Sequence, residues 1–333
     1  MNENTNRTVN SEPLKIAIIG CGGIGKLHAK AYEQIPGVKV EWMIDVVKDL
    51  ADCAAAQFGA KALYNVDDLT EKPDIVDVVT PPNLHTAFTL KFVEQGIPVF
   101  CEKPLTTDVD EAKAVVAAAD RYDVPVGIGF KMRNELIFIE AKKHIGKLGK
   151  LYAVSTVKNQ PHHVTTPDHW TTKTGAMYEL SVHEYDLINW ITGLEPLDVS
   201  AELHYDFGWE KENRAFLNVH YTDDVTGQLF SSYSSDTTFT FSDLTMMFVG
   251  DKGYMRVERP NRIFLHTDRD EVIDVVPEDN FLATVAELRN FVEAVRTGTK
   301  PVPDVHNGAA MTLMVEAARK SSITGKREII ERP

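Results

Sequence analysis

Leu14-Lys-Ile-Ala-Ile-Ile-Gly-Cys-Gly-Gly-Ile-Gly25 joins a short apolar run to a cluster of glycines. The run is too brief for a buried helix and rich in β-branched residues, which predicts a central strand. From Ile24 onward apolar residues recur at helical spacing, until Pro36-Gly37 ends the pattern. The stretch therefore predicts a strand, a glycine turn and a helix in succession.

The same alternation of strand and helix continues through the first part of the chain. The patterns predict further strands at residues 38–45, 74–80, 97–102 and 124–130, separated by helices at 48–58, 83–95 and about 107–121. Repeated strand-helix-strand units predict a parallel sheet with helices on both faces. We therefore assign residues 14–130 to a doubly wound α/β domain, preceded by a disordered polar leader at residues 1–13.

After about residue 150 the pattern changes to longer segments with β character. Strands are predicted at residues 151–158, 197–207, 215–221, 228–233 and 244–249, with turns at Asp223-Asp224 and Asp251-Lys-Gly253. Helices predicted at 175–192, 281–297 and 307–321 would cover one face of this sheet. We therefore expect a second α/β domain over residues 131–325, with a large, mostly antiparallel sheet whose other face is open.

Composition and charge exclude several classes of protein. The chain has 49 acidic and 35 basic residues and a net charge of −14, which disfavours nucleic acid and anionic lipid as partners. No apolar stretch is long enough to cross a membrane, and the N-terminus has no signal-peptide pattern. The three cysteines are far apart and are expected to be reduced thiols. These features predict a cytoplasmic protein.

The glycine cluster matches the pattern of a dinucleotide-binding turn. Gly20, Gly22 and Gly25 fit G-x-G-x-x-G between a strand and a helix, and Asp45 lies 20 residues after Gly25 at the end of the next strand. A carboxylate there can accept hydrogen bonds from both ribose hydroxyls of an adenosine, and it repels a 2′-phosphate, so NAD is preferred over NADP. Lys48 is the nearest basic residue and keeps NADP as the less favoured cofactor. The alternative is that the glycines only permit a tight turn and Asp45 only caps a loop.

Polar residues follow two further strands of the predicted parallel sheet. Thr80-Pro81-Pro82 and His85 come after one strand, and Glu102-Lys103-Pro104 after the next. Ligands bind at the carboxyl ends of strands in open α/β sheets, so these residues are candidates for a site. Spacing alone leaves open that Lys103 and Glu102 form an ordinary surface ion pair.

Several motifs in the same order together resemble the glucose-fructose oxidoreductase / inositol dehydrogenase (Gfo/Idh/MocA) family. They are the glycine turn, Thr80-Pro81-Pro82 with His85, Glu102-Lys103-Pro104, Gly129-Phe130 with Arg133, and Glu179-x-x-x-His183-x-x-Asp186. The resemblance covers about residues 14–325. It implies an N-terminal Rossmann domain and a C-terminal domain whose open sheet presents the substrate pocket and an oligomer interface, hence a homodimer or homotetramer. The C-terminal helix could pack back on the first domain.

The resemblance also implies roles for individual residues. Lys103 would lie beside the nicotinamide ribose and the substrate hydroxyl, His183 would be the acid/base, and Glu179 its acidic partner. A histidine near neutral pKa suits removal of a hydroxyl proton, and Glu179 at i−4 could orient the imidazole. Substrate contacts are assigned to Lys103, Arg133, Glu179 and His183. The cofactor set is Gly20, Gly22, Gly23, Ile24, Gly25, Asp45, Val46, Thr80, Pro81, Pro82, His85, Glu102 and Lys103.

Some residues depart from the family pattern or allow another interpretation. Ala176 and Met177 stand where the family has glycines, Glu179 stands where it more often has Asp, and Lys131 and Asn134 also differ. Without the family pattern, His183 reads as a core histidine on an apolar helix. The cluster of His162, His163, Asp168 and His169 fits no standard metal motif, so no metal is predicted. We interpret it as a polar loop over the pocket, in which His162 and Trp170 contact the substrate, rather than a surface loop without a role.

These observations lead to one functional hypothesis and two alternatives. The hypothesis is an NAD-dependent oxidoreductase that oxidises a secondary hydroxyl of a cyclic polyol or sugar, inositol-like or pyranose, with His183 as acid/base. One alternative is an NAD-binding sugar sensor without turnover. The other is a redox-neutral glycosidase that uses NAD for transient oxidation.

Overall fold

The strands of the protein form two separate sheets. The computed structural model describes residues 12–161, 171–235, 243–277 and 279–333. Within these ranges one sheet has six strands and the other nine. The α/β architecture predicted from the sequence is confirmed, because the smaller sheet is parallel and the larger is mostly antiparallel.

The six-stranded sheet is doubly wound. Its strands are β1 (Leu14–Ile19), β2 (Val38–Ile44), β3 (Lys61–Leu63), β4 (Ile75–Val78), β5 (Val99–Cys101) and β6 (Val126–Ile128). Their order is β3-β2-β1-β4-β5-β6, so the winding reverses between β1 and β4, and a crevice opens at the carboxyl ends of these two strands. The connecting helices are α1 (Gly23–Tyr32), α2 (Lys48–Phe58), α3 (His85–Val93) and α4 (Val109–Tyr122).

The nine-stranded sheet is antiparallel except at one pair. Its strands are β7 (Leu151–Pro161), β8 (Pro196–His204), β9 (Arg214–Tyr221), β10 (Val225–Ser235), β11 (Asp243–Gly250), β12 (Gly253–Glu258), β13 (Arg262–His266), β14 (Asp270–Asp274) and β15 (Glu328–Ile329). The order is β14-β13-β12-β11-β7-β10-β9-β8-β15, with β7 and β10 parallel. The predicted turns at residues 223–224 and 251–253 do join antiparallel neighbours.

Helices cover the inner face of this second sheet, but one of the three helices predicted to do so lies elsewhere. The remaining helices are α5 (Leu136–His144), α6 (Thr171–Thr174), a π-helical segment (Met177–Ser181), α7 (Val182–Thr192), α8 (Asn280–Thr297) and α9 (Val305–Thr324). Contrary to the prediction, α8 does not cover the second sheet but packs against α1. Its apolar face, including Leu288, Phe291 and Val292, is buried with Ile16 and Phe100 of the first sheet.

The other face of the second sheet is open. Along β9, buried and exposed residues alternate, as expected for a sheet with one covered face. The register places Phe216, Phe230 and Val157 side by side on the exposed face, and the two phenylalanine rings stack with centroids 4.4 Å apart. Among the described residues, no helix is both long and apolar enough to span a membrane.

Candidate active site

A cavity of about 610 Å³ lies where the carboxyl ends of the first sheet meet the inner face of the second. One wall is formed by the glycine turn and the ends of β4, β5 and β6. The opposite wall comes from β7, β10 and the π-helical segment. The predicted site residues that line the cavity are Gly22, Gly23, Ile24, Thr80, Pro81, Pro82, Glu102, Lys103, Glu179 and His183.

The glycine turn has the geometry that a bound pyrophosphate requires. A Cβ on Gly20, where φ is +107°, would lie 2.6 Å from the Val79 carbonyl oxygen, and one on Gly25 would lie 1.9 Å from the Gly20 carbonyl oxygen. Only glycine fits these two positions. In contrast, a Cβ on Gly22 or Gly23 would meet nothing within 4 Å, so the backbone there is open to the cavity. Helix α1 begins at Gly23 without a side-chain cap, which leaves its amino end free to bind an anion.

Asp45 lies at the end of β2, next to this turn. Its Oδ2 accepts a hydrogen bond from the Cys21 backbone N–H, and its Oδ1 accepts one from the Val47 N–H, both at 2.9 Å. These bonds fix the carboxylate beside the glycine turn while leaving further acceptor capacity. Val46, also predicted to contact cofactor, is exposed beside it.

His85 does not line the cavity, although the sequence places it in the cofactor set. Its imidazole is buried, with Nδ1 2.7 Å from the Pro104 carbonyl oxygen and Nε2 2.8 Å from the Thr80 carbonyl oxygen. Burial lowers the pKa of this imidazole. His85 is therefore buried between the two loops that line the cavity, and its single N–H can donate to one of these two carbonyl oxygens at a time.

Glu102 connects the cavity to a buried charged cluster that the sequence analysis missed. The carboxylate accepts a hydrogen bond from the Lys103 N–H at 3.0 Å and lies 3.3 Å from Nε2 of His28. The other ring nitrogen of His28 lies 2.9 Å from Asp77. Burial lowers the pKa of His28, but the charges and hydrogen bonds of Asp77 and Glu102 together outweigh burial and raise the pKa to about 10. Burial also raises the pKa of the neighbouring Glu287 well above its usual value.

Lys103 and Glu179 form an ion pair across the cavity. The ammonium donates to the Glu179 carboxylate at 3.0 Å, and both side chains are largely buried. The sequence analysis expects Glu179 to orient His183, but the structure pairs it with Lys103 instead. The physical reason is that a hydrogen bond between an ammonium and a carboxylate is stronger than one that a neutral imidazole N–H donates to a carboxylate. Burial raises the pKa of Glu179, which the charge of Lys103 opposes.

His183 lines the cavity as a neutral imidazole. The residue is 8% exposed, and its ring lies edge-on to Phe130. Nδ1 has no hydrogen-bond partner among the described residues. Burial lowers the pKa of His183 well below 6.5, and the positive charges of Lys158 and Lys103 lower it further. The imidazole is therefore uncharged near neutral pH and can accept a proton.

Arg133, which the sequence analysis assigns to substrate binding, lies in a buried ion pair outside the cavity lining. Its guanidinium is buried and donates two hydrogen bonds to Asp186, at 2.8 and 2.6 Å, and it does not line the cavity. Asp186 lies one helical turn after His183, so the pair fastens α7 to the turn that follows β6. His162 and Trp170, like His163, Asp168 and His169, lie outside the described residues.

Further polar residues that the sequence analysis missed also line the cavity. Glu135 and Arg259 form a bidentate ion pair with distances of 2.7 and 3.1 Å. Lys158 and Gln160 lie on the inner face of β7, where a strand facing a core would carry apolar residues. The alternation of Val154, Thr156, Lys158 and Gln160 on one face is a signal in the sequence that could have found them. The other missed lining residues are Lys131, Tyr233 and Asn280.

A doubly wound sheet with an anion-binding glycine turn, facing a lysine, a carboxylate and a neutral histidine, defines an NAD-binding oxidoreductase. Comparison with known families agrees with this class. Residues 14–130 match the oxidoreductase family with an NAD-binding Rossmann fold, and residues 139–256 match the GFO/IDH/MocA C-terminal domain. The chain belongs to the Gfo/Idh/MocA family.

The chain is similar over most of its length to characterised proteins. It is 27% identical to the inositol 2-dehydrogenase of Ralstonia nicotianae over 332 residues, 96% of each chain. It is 26% identical to the scyllo-inositol 2-dehydrogenase (NAD(+)) of Bacillus subtilis over 308 residues, 87% of this chain and 88% of the relative. The solved levoglucosan dehydrogenase, in complex with NADH and levoglucosan, shares the fold with a TM-score of 0.89 and 19% identity, covering 96% of this chain and 100% of the other.

Proposed function

We propose that this protein is an NAD-dependent dehydrogenase that oxidises a secondary hydroxyl of a cyclic polyol or pyranose sugar. The observation that carries the proposal is the neutral His183 beside the Lys103–Glu179 pair, in a cavity whose other wall is the glycine turn. The similarity to inositol 2-dehydrogenases supports the class of substrate.

The chain's own residues suit NAD. The open backbone at Gly22 and Gly23, together with the amino end of α1, would hold the pyrophosphate. Asp45 would accept hydrogen bonds from the adenosine ribose hydroxyls. The carboxylate of Asp45 would repel the 2′-phosphate of NADP, so NAD is preferred. These residues would hold the dinucleotide, whose nicotinamide would supply the hydride acceptor for oxidation of the carbinol carbon.

Two side chains would act on the substrate hydroxyl, and a third would position one of them. The neutral imidazole of His183 takes the hydroxyl proton as general base. The Lys103 ammonium donates a hydrogen bond to the same oxygen and stabilises the negative charge that develops on it. Glu179 holds the ammonium in place through its ion pair, and the buried setting strengthens that interaction.

The direct test is formation of NADH by the purified protein with NAD and a panel of inositols, pyranoses and anhydro-sugars. Lys103→Met and His183→Asn should each lower kcat by about 10²–10⁴-fold, with the NADH dissociation constant of His183→Asn within a few-fold of wild type. His306→Asn, at a partly exposed histidine far from the cavity lining, is the matched control. No NADH with any compound in the panel, or normal turnover in both site variants, would contradict the proposal.

The same experiments separate the proposal from its alternatives. A sensor would bind NAD and a sugar without transferring hydride. A redox-neutral glycosidase would release an aglycone without net NADH. Location in the cytoplasm stays a prediction from the sequence.

The open face of the second sheet is the proposed contact between copies in a homodimer or homotetramer. Phe216, Phe230 and Val157 form a partly exposed apolar row on this face. Exposed apolar patches of this kind are typical of surfaces that become buried between subunits. Light scattering on the wild type and on Val157→Lys tests this. A wild-type monomer would contradict it.

A further inference from the structure

Lys158 is a buried cation in the cavity wall that the proposed mechanism does not use. The residue is 2% exposed and lies on β7, on the wall opposite the glycine turn. Within the described ranges its ammonium makes two weak contacts, 3.4 Å to the Leu180 carbonyl oxygen and 3.8 Å to the Met132 sulfur. Among the described residues, no carboxylate lies within 4 Å of it. An ammonium has three donors, so Lys158 is under-satisfied within the protein.

Four other charged side chains that line the cavity form ion pairs within the protein. Lys103 pairs with Glu179, and Arg259 pairs with Glu135. Glu184 acts on Lys158 through its charge, but its oxygens already accept hydrogen bonds from the Thr156 and Ser231 hydroxyls. A buried charge without a direct partner is costly, so a ligand that supplies the opposite charge binds favourably there.

The cofactor is not that ligand. The anionic part of a dinucleotide is expected at Gly22 and Gly23, across the cavity from Lys158. The substrate is the remaining molecule that reaches this wall. Gln160 and Tyr233, neighbours in the register of β7 and β10, line the cavity next to Lys158 and offer hydrogen bonds to further substrate oxygens.

We propose that Lys158 binds a carboxylate of the substrate, so that the preferred substrate is a cyclic polyhydroxylated acid, such as a hexuronic acid, rather than the neutral sugar. This inference rests on the proposed dehydrogenase function. The carboxylate would pair with the Lys158 ammonium, and the ring hydroxyls would face Lys103 and His183.

The pKa of Lys158 gives the proposal a characteristic pH dependence. Burial lowers this pKa to about 7. Lys158 interacts electrostatically with six titratable side chains: Glu184, Lys103, Arg259, Glu135, Glu179 and His183. In the free enzyme the ammonium is lost as the pH rises through about 7, so kcat/KM for an acid should fall above that pH. For a neutral sugar this alkaline limb should be absent.

The experiment compares pairs of substrates that differ only in the carboxylate: D-glucuronate with D-glucose, and D-galacturonate with D-galactose. For each pair the ratio of kcat/KM, acid over neutral sugar, is measured with NAD for wild type, Lys158→Met and Lys158→Arg. We expect a ratio well above one in the wild type and about 100-fold lower in Lys158→Met, as for a lost charge-assisted hydrogen bond. Lys158→Arg keeps its charge at all pH values and should lose the alkaline limb. Lys147→Met, an exposed lysine, is the control.

A wild-type preference for the neutral sugars, or an equal loss for both members of a pair in Lys158→Met, would overturn the proposal while leaving the dehydrogenase function intact. If no compound yields NADH, the proposed function fails, and calorimetric binding to the NADH-loaded protein decides on Lys158. Binding of D-glucuronate that exceeds that of D-glucose and is lost in Lys158→Met would support the site. Absence of that difference would overturn it.

Discussion

Replacing Arg133 by methionine tests whether this residue serves the fold or the substrate. In the structure the guanidinium and Asp186 form a buried bidentate pair, and Arg133→Met leaves the carboxylate without that partner. Breaking a buried pair in this way costs about 3–5 kcal/mol. At about 2.1 cal/mol/K per residue, a chain of 333 residues has an unfolding entropy of about 0.7 kcal/mol/K. The Tm should therefore fall by about 4–7 °C.

The assay combines calorimetric unfolding with steady-state kinetics well below the transition. We expect a lower Tm, with the substrate KM within a few-fold of wild type. The double variant Arg133→Met/Asp186→Leu replaces the pair by apolar groups and should recover most of the stability, within about 1–2 kcal/mol. An unchanged Tm together with a KM raised more than about tenfold would show that Arg133 binds substrate, and would refute the structural role.

Four further predictions concern the cofactor site, the base and the buried cluster. Because burial and the charge of Lys158 hold the pKa of His183 well below 6.5, kcat/KM for a neutral sugar should not fall as the pH drops from neutral to about 6.5, and Lys158→Met should move the acid limb to higher pH; identical profiles would contradict this. Asp45→Ala should weaken NADH binding in fluorescence titration by about tenfold and raise the kcat/KM ratio of NADP to NAD; an unchanged ratio would remove Asp45 from cofactor choice. Gly25→Ala should abolish measurable NADH binding, since its Cβ would lie 1.9 Å from the Gly20 oxygen; wild-type affinity in the same titration would refute the steric argument. The pKa of His28 is raised to about 10, so its stabilisation is complete below about pH 6.5 and is lost as the pH rises through 10. The urea unfolding free energy should fall over that range in wild type and less in His28→Gln; parallel curves would be the contrary result.

The first sheet could be predicted from the sequence because local rules determine it. The apolar run at residues 14–19, the glycine turn and the helical spacing after Ile24 all indicate the same unit, which the structure contains. Strands β3 and β12 to β15 were not predicted, because local patterns do not determine them. Strand β3 has three residues, and β14 reads Asp-Glu-Val-Ile-Asp, so neither has a long apolar pattern, and pairing with neighbouring strands decides their conformation.

The candidate site was only partly predictable. Lys103, Glu179 and His183 could be named from motifs, and the structure brings all three to one cavity. Their partners depend on which elements meet in space, and a linear pattern does not contain that information. Lys103 lies on the wall formed by the first sheet and Glu179 on the opposite wall, so their ion pair joins the two walls of the cavity. Arg133 contacts Asp186 because α7 packs on the turn after β6.

The edge of the first sheet is completed by residues that lie about 175–200 positions further along the chain. Strand β6 accepts a bridge between Gly127 and Asp304, Ile128 donates its N–H to the Pro303 carbonyl oxygen, and Thr312 of α9 donates to the Thr106 carbonyl oxygen. During synthesis the edge of the cofactor-binding half therefore stays uncovered until the residues around 303–312 have emerged from the ribosome. Expression of residues 14–130 alone would expose that edge and the apolar surface under α9, and should yield an aggregating fragment.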